Sequence, residues 1–184
     1  MGIVTTNKRY VTYYSRKKCK KFDPSLIETD LYCFLESKPN CAWWGSPEDA
    51  NFGWKEYCIS EYGTKDFDFE HPIYWHLKED SRIFQINMDD VKLEESNELL
   101  KYIYFMDRGG YEKHFPITET IEILNSYKMR PRVNFSRLLN DGIVGVELMD
   151  ACIGHMFMNQ LETMFNSWDC ESIVILNSNK IIFD

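Results

Sequence analysis

The longest uncharged apolar runs in this chain, such as Ile173, Val174, Ile175 and Leu176, are only strand-sized. A bilayer-spanning helix needs about 20 consecutive apolar residues, so no transmembrane helix is expected. The chain must bury its apolar surface in short strands and amphipathic helices packed on one another. It has the means to do so. Of its 184 residues, 44% are hydrophobic and 15% aromatic, against 9 Gly and 6 Pro. That composition excludes collagen-like, low-complexity and wholly disordered chains. The length suits a single domain, 1–184, with a core and surface insertions.

Residues 1–15 lack the continuous apolar stretch of a secretory signal. Six cysteines, at 19, 33, 41, 58, 152 and 170, show no C-x-x-C spacing, and His71, His76, His114 and His155 are equally scattered. Zinc sites need close ligand pairs, so no metal site is expected. Unpatterned thiols fit a reducing cytosol and a cytoplasmic protein.

Charge is unevenly distributed. Lys8, Arg9, Arg16, Lys17, Lys18, Lys20 and Lys21 give residues 1–21 a charge of +7 with no acid. The other 163 residues hold 14 basic and 29 acidic side chains, a net of −15. Residues 48–98 alone hold 14 acids against 5 bases. A basic leader of this kind can touch phosphate, or simply be a solvated surface. The acidic body repels nucleic acid at long range, so direct nucleic-acid binding is not expected outside the leader.

Residues 10–14 are β-branched and aromatic and read as a first strand, broken by the basic stretch 16–21 and Asp23-Pro24. Residues 31–35 and 41–44 flank a turn at 37–40, the first of them as strand or short helix. Ser46, Pro47 and Asp49 carry a helix-start pattern, with Ala50, Trp54, Tyr57 and Cys58 then on one face. Residues 81–86 alternate as a strand, Ile83 and Gln85 on one face and Phe84 and Ile86 on the other. Helices are expected at 97–106 and 118–127, and a third at 135–140, capped by Asn134 and stopped at Asp141-Gly142. A buried strand follows at 143–146, and Phe157, Leu161, Met164 and Phe165 have helical spacing. Residues 172–176 form the clearest strand, with a turn at 177–179 and a last apolar pair at Ile181 and Ile182. Strands at both ends with helices between and among them predict an α+β fold.

The common catalytic motifs are missing: no Gly-rich phosphate loop, no G-x-S-x-G elbow, no H-E-x-x-H. Cys152 and His155 could form a nucleophilic pair, although such proximity in sequence arises readily by chance. Three segments taken together carry more. They are Thr12-Tyr13-Tyr14-Ser15 with Lys21 to Pro24, then Cys41 to Pro47 ahead of Trp54 and Cys58, and finally Asp141-Gly142-Ile143 with Trp168 to Asn177 and Lys180-Ile181. In this order the chain resembles small ADP-ribosyltransferase-like proteins, particularly those of bacteriophages and mobile elements. The likeness touches about 45 residues at the two ends and leaves 60–130 unplaced.

The resemblance implies an ADP-ribosyltransferase-like split β core with flanking helices, and NAD-dependent transfer of ADP-ribose to a host macromolecule. Cleavage at nicotinamide passes through a state with positive charge at the ribose, which a carboxylate stabilises. Glu171, at the start of the late strand, matches the family's catalytic Glu, with Glu147 as the second candidate. Ser46 matches the serine that supports that Glu. Tyr13 stands where active members carry His or Arg, as the contact to the adenosine side of NAD. Trp44 or Tyr57 would offer nicotinamide an aromatic face.

Three departures stand out. Tyr13 offers one hydrogen-bond donor in place of a charged or two-nitrogen side chain, Tyr14 replaces a small residue and would crowd the cofactor, and Lys180 replaces the family's Gln. Each residue also has a plainer role: Ser46 as a helix cap, Glu171 facing solvent, Tyr13 and Trp44 in the core. A second reading follows, in which a degenerate copy of the fold is a non-enzymatic, acidic, anti-CRISPR-like inhibitor of a host defence complex. A third binds NAD or a relative without turnover.

Overall fold

The computed structural model describes residues 1–15, 42–64, 67–87, 94, 97–107, 111–126, 129–149, 164–165, 168 and 170–184. The basic stretch 16–21, the segments expected at 31–35 and 37–40, Cys152, His155, Phe157 and Leu161 lie outside them. In chain order the elements are β1 (Gly2–Thr5), β2 (Arg9–Ser15), β3 (Trp43–Pro47), α1 (Trp54–Tyr62), β4 (Phe67–Leu77) and β5 (Arg82–Asn87). A 3-10 helix at Glu98–Tyr102 leads into β6 (Ile103–Met106), β7 (Glu112–Lys113), α2 (Ile117–Ser126), β8 (Arg130–Val133) and α3 (Phe135–Asn140). The chain closes with β9 (Ile143–Met149), β10 (Ser172–Ile175), a 3-10 turn at Ser178–Lys180 and β11 (Ile181–Phe183). Mostly strands with few helices, this is a mixed architecture of the expected class.

Eight strands form one sheet in the order β1-β5-β9-β10-β3-β2-β4-β11. Only β5 and β9 run parallel; the other neighbours are antiparallel. Strand alternation gives the sheet two apolar faces. Phe84, Ile86, Val146, Leu148 and Val174 join the first core, while Ile83, Val144, Ile173 and Ile175 join the second. Over the first face lies a small sheet, β7-β6-β8, with the 3-10 helix, α2 and α3, contributing Leu100, Phe105, Leu124 and Leu138.

The buried residues of the second core all sit on strands of the large sheet: Tyr10, Trp43, Trp75, Leu77, Ile83, Val144, Ile173, Ile175 and Ile181. Among the described residues, only the sheet's own curl covers them. Trp43 on β3 and Phe183 on β11 are three strands apart, about 14 Å on a flat sheet. Their ring centroids nevertheless lie 5.6 Å apart. Tyr10 on β2 similarly reaches Glu147 on β9, three strands away, at 3.4 Å.

Several local expectations hold. Asn134 accepts from the Arg137 N–H at 2.8 Å and caps α3, and Gly142 takes φ +78, the left-handed turn that stops the helix. Ile83 faces one core and Phe84 and Ile86 the other. Three expectations are corrected. A strand, β1, precedes the one expected first. Residues 103–106 are strand, not helix, because Ile103 and Phe105 alternate into the core while Tyr104 and Met106 stay half-buried. The helix expected to open at Ser46 opens at Trp54 instead. Ser46 and Pro47 belong to β3, whose residues pair with β2 on one side and β10 on the other, so ladder bonds outweigh the local start signal.

Candidate functional site

The crossing of β2, β3, β10 and α1 creates a cavity of about 320 Å³. Its walls are Val11, Thr12 and Tyr13 from β2, Trp44 and Gly45 from β3, Trp54 opening α1, and Trp168, Cys170 and Ser172. Three of the chain's five tryptophans therefore converge on one space. Trp44 and Trp168 meet edge to face, centroids 4.8 Å apart at 69°, and make a corner.

The backbone explains how these side chains are presented. Gly45 lets β3 pass tight against Trp75, since a Cβ there would lie 2.7 Å from the Trp75 ring and 3.0 Å from the Val11 oxygen. Thr12 ties the two strands together, donating to the Trp44 oxygen at 2.7 Å and accepting from Trp75 Nε1 at 3.0 Å. The β2–β4 ladder slips between Thr12, opposite Ile73, and Tyr14, opposite Asp68. Pro72 falls in the slipped stretch and has no N–H for the ladder. Tyr13 sits at that irregularity, its ring edge-on to Phe69 at 5.3 Å. Burial, followed by the neighbouring Tyr74, Glu56 and Glu48, raises the Tyr13 phenol above its ordinary pKa, so it stays neutral.

Beside this cavity, Ser46 and Glu171 are in direct contact. The Ser46 hydroxyl donates to the Glu171 backbone oxygen at 2.8 Å and accepts the Trp54 N–H at 2.8 Å. Ser46 thus caps α1, but from eight residues away and from inside a strand. Glu171 Oε1 accepts the N–H groups of Asn51 and Phe52, at 3.1 and 3.2 Å, and the Glu171 N–H donates to the Phe52 oxygen at 3.0 Å. The carboxylate is thereby fixed against the loop before α1. Oε2 accepts no hydrogen bond among the described residues. Glu171 stands between the lining residues Cys170 and Ser172 without itself lining the cavity.

Of the six candidate residues, Tyr13 and Trp44 form walls, and Ser46 and Glu171 form the adjoining clamp. Tyr57 is not in the lining and instead backs Trp54, centroids 5.5 Å apart. Glu147 lies elsewhere. It is wholly buried, taking Lys8 Nζ at 3.0 Å and Tyr10 OH at 3.4 Å on Oε1 and Gln85 Nε2 at 2.6 Å on Oε2. None of those three partners lines the cavity, so the two candidate carboxylates do not share a site. Trp54 and Trp168 were legible only as a helix-face residue and a motif flank. Their rarity as tryptophans was the available signal. Among the described residues, no helix is long and apolar enough to cross a membrane. Comparison with protein-family models, with curated proteins and with solved structures yields no match.

Proposed function

We propose that this chain is an NAD-dependent mono-ADP-ribosyltransferase of the phage effector type, acting on a host macromolecule on an ADP-ribosyltransferase-like fold. The observation that carries this reading is the cavity walled by Tyr13 and Trp44 directly beside the bonded pair Ser46 and Glu171. At about 320 Å³ the cavity lies at the small end of ligand pockets and fits the nicotinamide end of NAD, with the adenosine end outside. The aromatic walls suit a flat ring. Among the described residues, no lysine, arginine or histidine lines it.

NAD supplies the ADP-ribosyl group and nicotinamide as leaving group. The residues do the rest. Trp44, Trp54 and Tyr13 hold the ring and exclude water, Tyr13 taking this place instead of the adenosine contact that the resemblance implies. The Asn51 and Phe52 N–H groups fix Glu171 Oε1, leaving Oε2 to accept from a ribose hydroxyl and to stabilise charge developing there. Ser46 is a positioning residue, acting through the Glu171 backbone. The test is transfer of label from NAD to a macromolecule in bacterial extract. Wild type should transfer and Glu171→Ala should not. Equal label with both proteins, or none with either, overturns the reading.

A second reading is favoured by the surface. Glu48, Asp49, Glu56, Glu61, Glu70, Glu79 and Asp80 are all exposed, and Ser46 and Glu171 are accounted for by holding the loop before α1. On that reading the chain is a stoichiometric, NAD-independent, anti-CRISPR-like inhibitor of a host defence complex. Its inhibition titrates one to one and weakens with salt, whereas transfer is substoichiometric and consumes NAD.

A further inference from the structure

We infer that the cavity is an aromatic cage selective for a flat organic cation, a ring bearing a quaternary nitrogen, over its neutral counterpart. This rests on the reading that the cavity is a ligand site and does not require turnover. The walls carry the argument. Tyr13, Trp44, Trp54 and Trp168 supply four aromatic side chains, and among the described residues no cationic side chain stands in the lining. The faces of such rings are negative and attract a desolvated cation, indole most strongly. The Trp44 and Trp168 rings, inclined at 69° to one another, close two sides of a corner.

Among the described residues, carboxylates stand near the cavity. Glu48 and Glu56 lie close enough to the Tyr13 hydroxyl to help raise its pKa, after burial and Tyr74. Glu171 stands one residue from each of the lining residues Cys170 and Ser172. Arg9, a described cation on β2, is engaged by Asp184 at 2.6 Å and Glu48 at 3.2 Å.

Selectivity for the charged ring has a kinetic consequence. Nicotinamide loses its positive charge as its bond to ribose breaks, so the cage holds the ground state better than the leaving group. Binding that is stronger in the ground state than in the transition state lowers KM and lowers kcat with it. The site therefore favours oxidised over reduced nicotinamide dinucleotide and turns over slowly.

The test is tryptophan-fluorescence titration of the full chain with 1-methylnicotinamide, a cation, and with nicotinamide, its neutral counterpart. The cation should bind about tenfold or more tightly. Trp54→Leu should remove most of that preference and Trp54→Phe part of it, with thermal melts confirming that both variants fold. Equal affinities, or no quenching by either compound at millimolar concentration, overturn the cage on wild-type protein alone. NAD consumption is read separately. Cation binding without turnover keeps the cage and rejects the transferase, and turnover without cation preference does the reverse.

Discussion

The Ser46 hydroxyl bridges two distant parts of the chain, donating to the backbone oxygen of Glu171 while receiving the first N–H of α1. One buried atom thus fixes the start of β10, the loop before α1 and the orientation of Trp54. Ser46→Ala leaves the Trp54 N–H without this acceptor and should destabilise the fold by about 1–3 kcal/mol. Urea unfolding measures it. A change within error of zero would mean that the bridge is incidental.

At Gly45 the packing leaves no room for a side chain. A methyl at this position meets Trp75, Val11 and Thr12 within 2.7 to 3.1 Å, and two of those three residues also line the cavity. Gly45→Ala should cost about 1–3 kcal/mol through forced shifts in β2 and β4, and should weaken ligand binding in parallel. Unaltered melting and binding would contradict the tight crossing.

These two positions also show what could be read in advance. The Asn134 cap, the Gly142 stop and the alternation through Ile83 and Phe84 were legible because each depends on neighbours in sequence. Ser46 misled because its capping chemistry is real but operates across eight residues, after a strand. At 97–106 a 3-10 turn runs straight into a strand, and two short periods together imitate one helical one. The contact of Ser46 with Glu171 follows from the β3–β10 pairing, and the convergence of Trp44, Trp54 and Trp168 from the crossing of elements far apart in the chain. No local pattern encodes either.

Glu147 gives a prediction about the curl of the sheet. Its carboxylate is wholly buried, while Lys8, its counter-charge, is 32% exposed. Removing one partner of a fully buried pair costs about 3–5 kcal/mol. Partial solvation of Lys8 lowers the expectation for Lys8→Met to about 1–3 kcal/mol. Adding Glu147→Gln removes the stranded charge, so the double variant should be more stable than Lys8→Met alone. A strictly additive double variant would show that the pair is not coupled.

Acid stability should depend on two surface carboxylates. Arg9, then His76, hold the Asp184 carboxyl below its usual range, and Lys180 does the same for Asp80. With the folded pKa lower than the unfolded, the unfolded chain takes up protons first as pH falls. The stability these groups contribute is therefore complete above the unfolded value, near ~4, and is lost as pH drops through the folded value. Asp80→Asn with Asp184→Asn should flatten that part of the profile. Urea midpoints measured from neutral pH downwards test it, and an unchanged acid limb would contradict the assignment.

The most direct measurement is release of free nicotinamide from NAD by the purified chain, comparing wild type with Glu171→Gln and Trp54→Leu. Slow release by wild type is expected, with Glu171→Gln losing turnover but keeping NAD affinity, and Trp54→Leu losing affinity first. Release that is the same for all three proteins, or none from a wild type that also fails to bind NAD, would contradict a nicotinamide site in the aromatic cavity beside Glu171.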